Sequence, residues 1–166
     1  IQPNSISYSM DGSTLTVNTP SLSVQLNCDK GLAIEQFGFI NEKYLFGTLE
    51  HGYYKDIEFG ADFYSNHTVF QSPGQSIVAD LHKIEPQFDT HTNGIIVKAK
   101  IELSIGTLDK SIQFFNDTNS VVIKNQFKLN QCYQGAFRTG FITINPESFH
   151  KESLYYETSL GGFKPE

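Results

Sequence analysis

Between Gly52 and Gln75 the chain reads Gly-Tyr-Tyr-Lys-Asp-Ile-Glu-Phe-Gly-Ala-Asp-Phe-Tyr-Ser-Asn-His-Thr-Val-Phe-Gln-Ser-Pro-Gly-Gln. Phenol rings, carboxylates and turn glycines are crowded together there as nowhere else in the sequence. Aromatic faces stack on the C–H surfaces of pyranose rings, while carboxylate and imidazole groups hydrogen-bond the hydroxyls. Tyr53, Tyr54, Asp56, Glu58, Asp62 and Tyr64 are therefore the candidate carbohydrate-contacting residues. The plainer alternative for the aromatics is core packing, which is where rings in a β-rich chain commonly end up.

The same segment admits other chemistry. Asp56 and Glu58, two residues apart, share one face of an extended strand and with Asp62 offer hard oxygen ligands for calcium, although loop carboxylates are more often simply solvated. Glu58 and Asp62 are also the carboxyls a glycosidase would need, at about 5–5.5 Å or 6.5–9.5 Å apart according to mechanism, a spacing that sequence does not set. His51, His67, His82, His91 and His150 form no His-x-His or His-x-x-x-His pair and read as surface residues rather than zinc ligands. There is no Gly-x-Ser-x-Gly elbow, phosphate loop or dinucleotide fingerprint. No metal or cofactor is expected. A histidine and a carboxylate sharing a concave cleft would support a second reading, proton shuttling by an aldose epimerase or a sugar lyase. A third is an interaction module in a surface assembly, pairing through exposed strand edges.

At 166 residues the chain has the length of one domain, covering 1–166. A formal charge of −6, with 12 scattered Lys and Arg residues, argues against nucleic acid as a partner. No run of about 18 apolar residues is present, so no membrane-spanning helix is expected. Cys28 and Cys132 fit neither a zinc nor a redox spacing; they read as two buried free thiols or, in an oxidising compartment, as a disulfide. Asn66-His67-Thr68 and Asn116-Asp117-Thr118 match the glycosylation acceptor pattern without fixing a compartment. The start at Ile1-Gln2-Pro3 and the stop after Gly161-Gly162 read as those of a piece of a longer chain.

The elements that must position these residues are strands. Apolar residues alternate with polar ones over 13–17, 22–26 and 32–39, with turns at Asn18-Thr19-Pro20 and Asp29-Lys30-Gly31, which predicts a meander of antiparallel strands. Residues 41–46 and 49–53 lack clean alternation and read as loop with at most one helical turn. Strands are expected over 76–88, 94–106, 111–115, 121–129 and 135–144. In the second of these Ile95, Val97, Ala99, Ile101, Leu103 and Ile105 face one way, and Lys98, Lys100, Glu102 and Ser104 the other. No segment keeps a helical apolar period, and 13% aromatic content suits pleated surfaces. The expected class is all-β, an antiparallel β-sandwich of nine or ten strands, with a closed barrel as the alternative.

These motifs resemble a family. Leu15-Thr-Val-Asn18, Leu22-Ser-Val-Gln-Leu26, the Gly31 turn, Gly52-Tyr-Tyr-Lys-Asp56, Ala61-Asp62-Phe63-Tyr64 and the closing Tyr156-Glu157-Thr158, Gly161-Gly162 and Glu166 are similar to the β-domain that follows the catalytic barrel in glycoside hydrolase families 57 and 38. The resemblance implies a galactose mutarotase-like supersandwich, here incomplete, serving as the non-catalytic portion of a carbohydrate-active enzyme. It implies carbohydrate and a catalytic barrel domain of the same parent protein as partners. The nucleophile and acid would sit on that barrel, so no catalytic residue transfers; His91 and Glu157, set against the acid and base of mutarotases, lack the matching context. Apolar surface left by a missing partner would favour a homodimer.

Overall fold

The computed structural model describes residues 6–48 and 64–155. Its strands are β1 (Ser7–Asp11), β2 (Thr14–Asn18), β3 (Leu22–Asn27), β4 (Ala33–Phe39), β5 (Phe46–Gly47), β6 (Thr68–Gln71), β7 (Val78–Ala79), β8 (Gln87–His91), β9 (Gly94–Leu103), β10 (Gly106–Phe115), β11 (Val121–Leu129), β12 (Ala136–Thr139) and β13 (Thr143–Ile144). They form three antiparallel sheets, ordered β1-β2-β3-β4-β5-β13, β11-β10-β9-β8 and β12-β6-β7. The class is all-β and sandwich-like, as the alternation predicts.

The core lies between the first two sheets. Leu15 and Val17 of β2, Val24 and Leu26 of β3 and Ile34 of β4 meet Ile95, Val97 and Ala99 of β9 and Ile112 and Phe114 of β10. Each strand supplies alternate residues, so the opposite faces stay polar, and burial of these side chains stabilises the fold by roughly 1.5–3 kcal/mol for each large one. On the inner face of the second sheet Leu108, Lys110, Ile112 and Phe114 form one column of β10, registered against Phe127, Asn125, Ile123 and Val121 of β11. Ile112 and Phe114 face the first sheet. The other end of β11 meets the third sheet, where Phe127 stacks edge-on to Phe137 at 4.7 Å.

Several expectations change. Residues 135–144 are two strands in different sheets, because Gly140 at φ 71 turns the chain between β12 and β13. Residues 76–88 are strand only at Val78–Ala79 and from Gln87 onward. Between them the backbone bonds elsewhere: Ile84 donates to the Cys28 carbonyl at 2.8 Å and His82 accepts from Gly31 at 2.8 Å. Leu45 leads into β5 rather than a helical turn; residues 49–53 lie outside the described residues. β1 has every residue exposed and β6 has three consecutive buried ones, so neither carries the alternation that marks a half-buried strand. Cys28 is buried, but Cys132 is exposed, and both thiols are free.

Candidate functional site

The outer face of the first sheet carries a polar cleft whose key residue is delivered by a β-bulge. Gln25 of β3 pairs with Gln36 of β4, but the next pair is Leu26 with Ile34, leaving Glu35 as an extra residue. Strict alternation would put Glu35 on the face of Phe37, in the core; the bulge turns it outward beside Gln36, a use to which such irregularities are often put. Its carboxylate accepts from Asn27 Nδ2 at 2.6 Å and from Thr14 Oγ1 at 3.4 Å. Asn27 is itself held, its Oδ1 accepting from the Asp29 amide at 2.9 Å.

Gly47 of β5 makes room for the bulge. A Cβ there would lie 1.9 Å from the Glu35 carbonyl oxygen, so only glycine fits this close approach. Thr48 then closes the rim, donating its amide to Glu35 O at 3.0 Å and its hydroxyl to Ile34 O at 2.9 Å. The resulting cleft of 340 Å³ has Gln25 and Gln36 as its floor, Asn27 and Glu35 at one end, and Tyr44, Thr48 and Tyr64 as walls. The Gln25 and Gln36 amides have no hydrogen-bond partner among the described residues. Each offers a donor pair and an acceptor to whatever enters.

Of the residues singled out from sequence, Tyr53, Tyr54, Asp56, Glu58 and Asp62 lie outside the described residues. Tyr64 is half-buried in the cleft wall, with the Lys30 ammonium 5.6 Å from its ring centroid and the His67 ring edge-on at 6.2 Å. Sequence reading passed over Glu35, Gln25, Gln36 and Tyr44. The signal for Glu35 was a lapse in alternation, Ile34-Glu35-Gln36-Phe37, where two polar residues separate two apolar ones.

His67 is not a surface histidine: it is 3% exposed and sits in a buried polar cluster behind the cleft. Lys110, the one cation in the apolar column of β10, is fully enclosed; it forms an ion pair with Asp80 Oδ2 at 2.7 Å and donates to Gly31 O at 2.9 Å and Asn66 O at 2.7 Å. Asp80 Oδ1 accepts from the Thr68 amide at 3.0 Å and lies 3.8 Å from His67 Nε2. Asn66 adopts the left-handed conformation at φ 64, which Asn tolerates better than most residues. One ammonium thus ties β10 to the turn after β3, the turn before β6 and the residue after β7. Burial pulls the Lys110 pKa below the ordinary ammonium value, against the opposing pull of Asp80. The His67–Asp80 pair has the composition of an acid–base pair, but it is enclosed at 3% and 0% exposure and makes no cleft for a sugar.

Burial also holds the His67 imidazole below its ordinary value, opposed by Asp80 and reinforced by Lys110 and Arg138. A lowered histidine pKa means that the unfolded chain takes up a proton first as pH falls. Stability should therefore drop as pH falls below about 6.5 and level off once the folded value is passed, with a slope of at most about 1.4 kcal/mol per pH unit from this group. His67→Gln should flatten that part of the profile; thermal unfolding between pH 7.5 and 5 checks it, and an unchanged slope would mean that His67 does not carry the effect.

The fold and site thus define an all-β sandwich-like protein with a polar cleft on its first sheet. Comparison with family models, with characterised proteins and with solved structures finds no match to this chain.

Proposed function

We propose that this chain is the non-catalytic β-sandwich portion of a carbohydrate-active enzyme of the glycoside hydrolase type, supporting a catalytic barrel and contacting glycan through the polar cleft. The observation that carries the proposal is the floor of that cleft, a cross-strand pair of unengaged amides, Gln25 and Gln36, between a fixed carboxylate and two tyrosines. Amides bond vicinal hydroxyls with a donor and an acceptor at once, and phenol rings pack on sugar C–H faces. Among the described residues lining the cleft Glu35 is the one carboxylate, whereas glycoside hydrolysis uses two. Binding without hydrolysis is the chemistry that this set supports.

A covering partner would meet exposed apolar side chains, among them Val122, Leu129, Phe137, Ile142 and Ile144, each between 40% and 51% exposed.

The test is a glycan array followed by calorimetry on any hit, with Gln36→Ala and Tyr64→Ala as variants. Each substitution is expected to weaken binding at least tenfold, the loss of roughly one charge-free hydrogen-bond pair or one stacking face. Gln36 is exposed and unbonded, so its variant should unfold at the wild-type temperature. Undiminished glycan binding by both variants would contradict the assignment of the cleft.

A further inference from the structure

The cleft continues. A second recess of 220 Å³ adjoins it, sharing Gln25, Gln36 and Tyr44 and extending to Ser23, Phe39 and Asn41. The two together form one groove along the outer face of β3 and β4. Ser23, Gln25 and Asn27 point the same way because they are alternate residues of β3, and the four-residue step from Ser23 to Asn27 measures about 13 Å at the usual strand rise. That is longer than a single pyranose ring.

The groove has one aromatic at its near end and one at its middle. Tyr64 stands by Asn27 and Glu35, Tyr44 lines both recesses, and the far recess runs on to Asn41, past Phe39, whose ring shares the inner face of the sheet with its register partner Leu22. Gly38 lets the β4–β5 connection fold close over the sheet, since a Cβ there would lie 2.8 Å from Tyr44 Cα. This places Tyr44 over the junction of the two recesses rather than at the rim of either. The charges in the groove select as well. Glu35 is fixed in the near half and Glu42 lines the far half, while the far-half cation, Lys43, is already paired with Glu147 at 3.5 Å. A polyanionic glycan would meet two carboxylates there.

Resting on the carbohydrate reading above, we infer that the groove is a multi-residue site for a linear, neutral oligosaccharide, laid along β3 and β4 with one sugar against Tyr64 and the next beyond Tyr44. Affinity should then depend on chain length, and the far half should contribute only when a second sugar is present.

The experiment is calorimetric titration of the full chain with glucose and with its α-1,4-, β-1,4- and β-1,3-linked oligomers of two to four residues, mannose and its β-1,4-linked oligomers, and trigalacturonate as the anionic control. The expected result is at least a tenfold gain from monosaccharide to trisaccharide in one neutral series, with trigalacturonate weaker. Asn41→Gly, which suits the positive φ of 65 at that position while removing the amide, should cut the oligosaccharide's affinity several-fold and leave the monosaccharide's unchanged. Equal affinity for monosaccharide and oligomer would overturn the extended groove while leaving a carbohydrate cleft in place. Tighter binding of trigalacturonate would overturn its neutrality. No binding to any member would end both this inference and the carbohydrate reading.

Discussion

Lys110→Ala is expected to lower the unfolding free energy by about 3–5 kcal/mol, the usual cost of stripping one partner from a buried ion pair. At this chain length that corresponds to a fall in Tm of roughly 2–4 °C for each kcal/mol. The effect is large because the substitution does three things at once. It leaves the Asp80 carboxylate enclosed without its counter-charge, it removes the donor from the Gly31 and Asn66 carbonyls, and it opens a space in the β10 column. The double variant Lys110→Met with Asp80→Asn separates these contributions. Met restores volume, and Asn keeps an oxygen for the Thr68 amide without a charge. It should recover part of the stability lost by Lys110→Ala, as neutral replacements of buried pairs often do. Urea unfolding of the two variants measures the difference; equal stability of Lys110→Ala and wild type would mean that the three elements are not held by this ammonium.

Gly47→Ala should be nearly as damaging to stability and more informative about the site. The new Cβ would lie 1.9 Å from Glu35 O and 2.7 Å from the Glu35 carbonyl carbon, both backbone atoms, so relief requires the β4–β5 pairing itself to move. Overpacking typically costs 1–3 kcal/mol, and a backbone collision belongs at roughly the upper end of that range. Because the bulge sets the direction of Glu35, the same shift should disturb the Asn27 and Thr14 hydrogen bonds and weaken glycan binding together with stability. Gly12, with nothing within 4 Å of an added Cβ, is not a matched control, since its φ of 59 strains any substitution. Gln36→Ala serves better: it removes a cleft amide while leaving the backbone untouched. A Gly47→Ala protein with wild-type stability and binding would show that the bulge tolerates a side chain where the geometry leaves no space.

Period-two alternation in the sequence was sufficient to find β2, β3, β9 and β11, because each buries one face and wets the other, but it carried β9 on to residue 106 through the turn at 104–105 and so found β10 only from Ser111. It failed for β1, which buries neither face, and for β6, whose Thr68, Val69 and Phe70 are all covered. The cleft was only partly legible for a related reason. Gln25 and Gln36 looked like ordinary solvent-face residues, and what makes them a site is their cross-strand register plus a one-residue slip beside them. Lys110 carried a visible signal, a cation in the column of Leu108, Ile112 and Phe114, but its partner Asp80 lies 30 positions away and is brought to it by the third sheet. His67 was misread as a surface residue for the same reason: nothing in Asn66-His67-Thr68 announces a turn buried between sheets.

Glycan binding in the cleft is tested by a ¹H–¹⁵N correlation titration of the labelled chain with a neutral oligosaccharide series. Saturable shifts of the Gln25 and Gln36 side-chain amides and of the Tyr44 and Tyr64 backbone amides are expected, all lost together in Gly47→Ala. Saturable shifts confined to other surfaces, or a spectrum unmoved by every glycan, would contradict it.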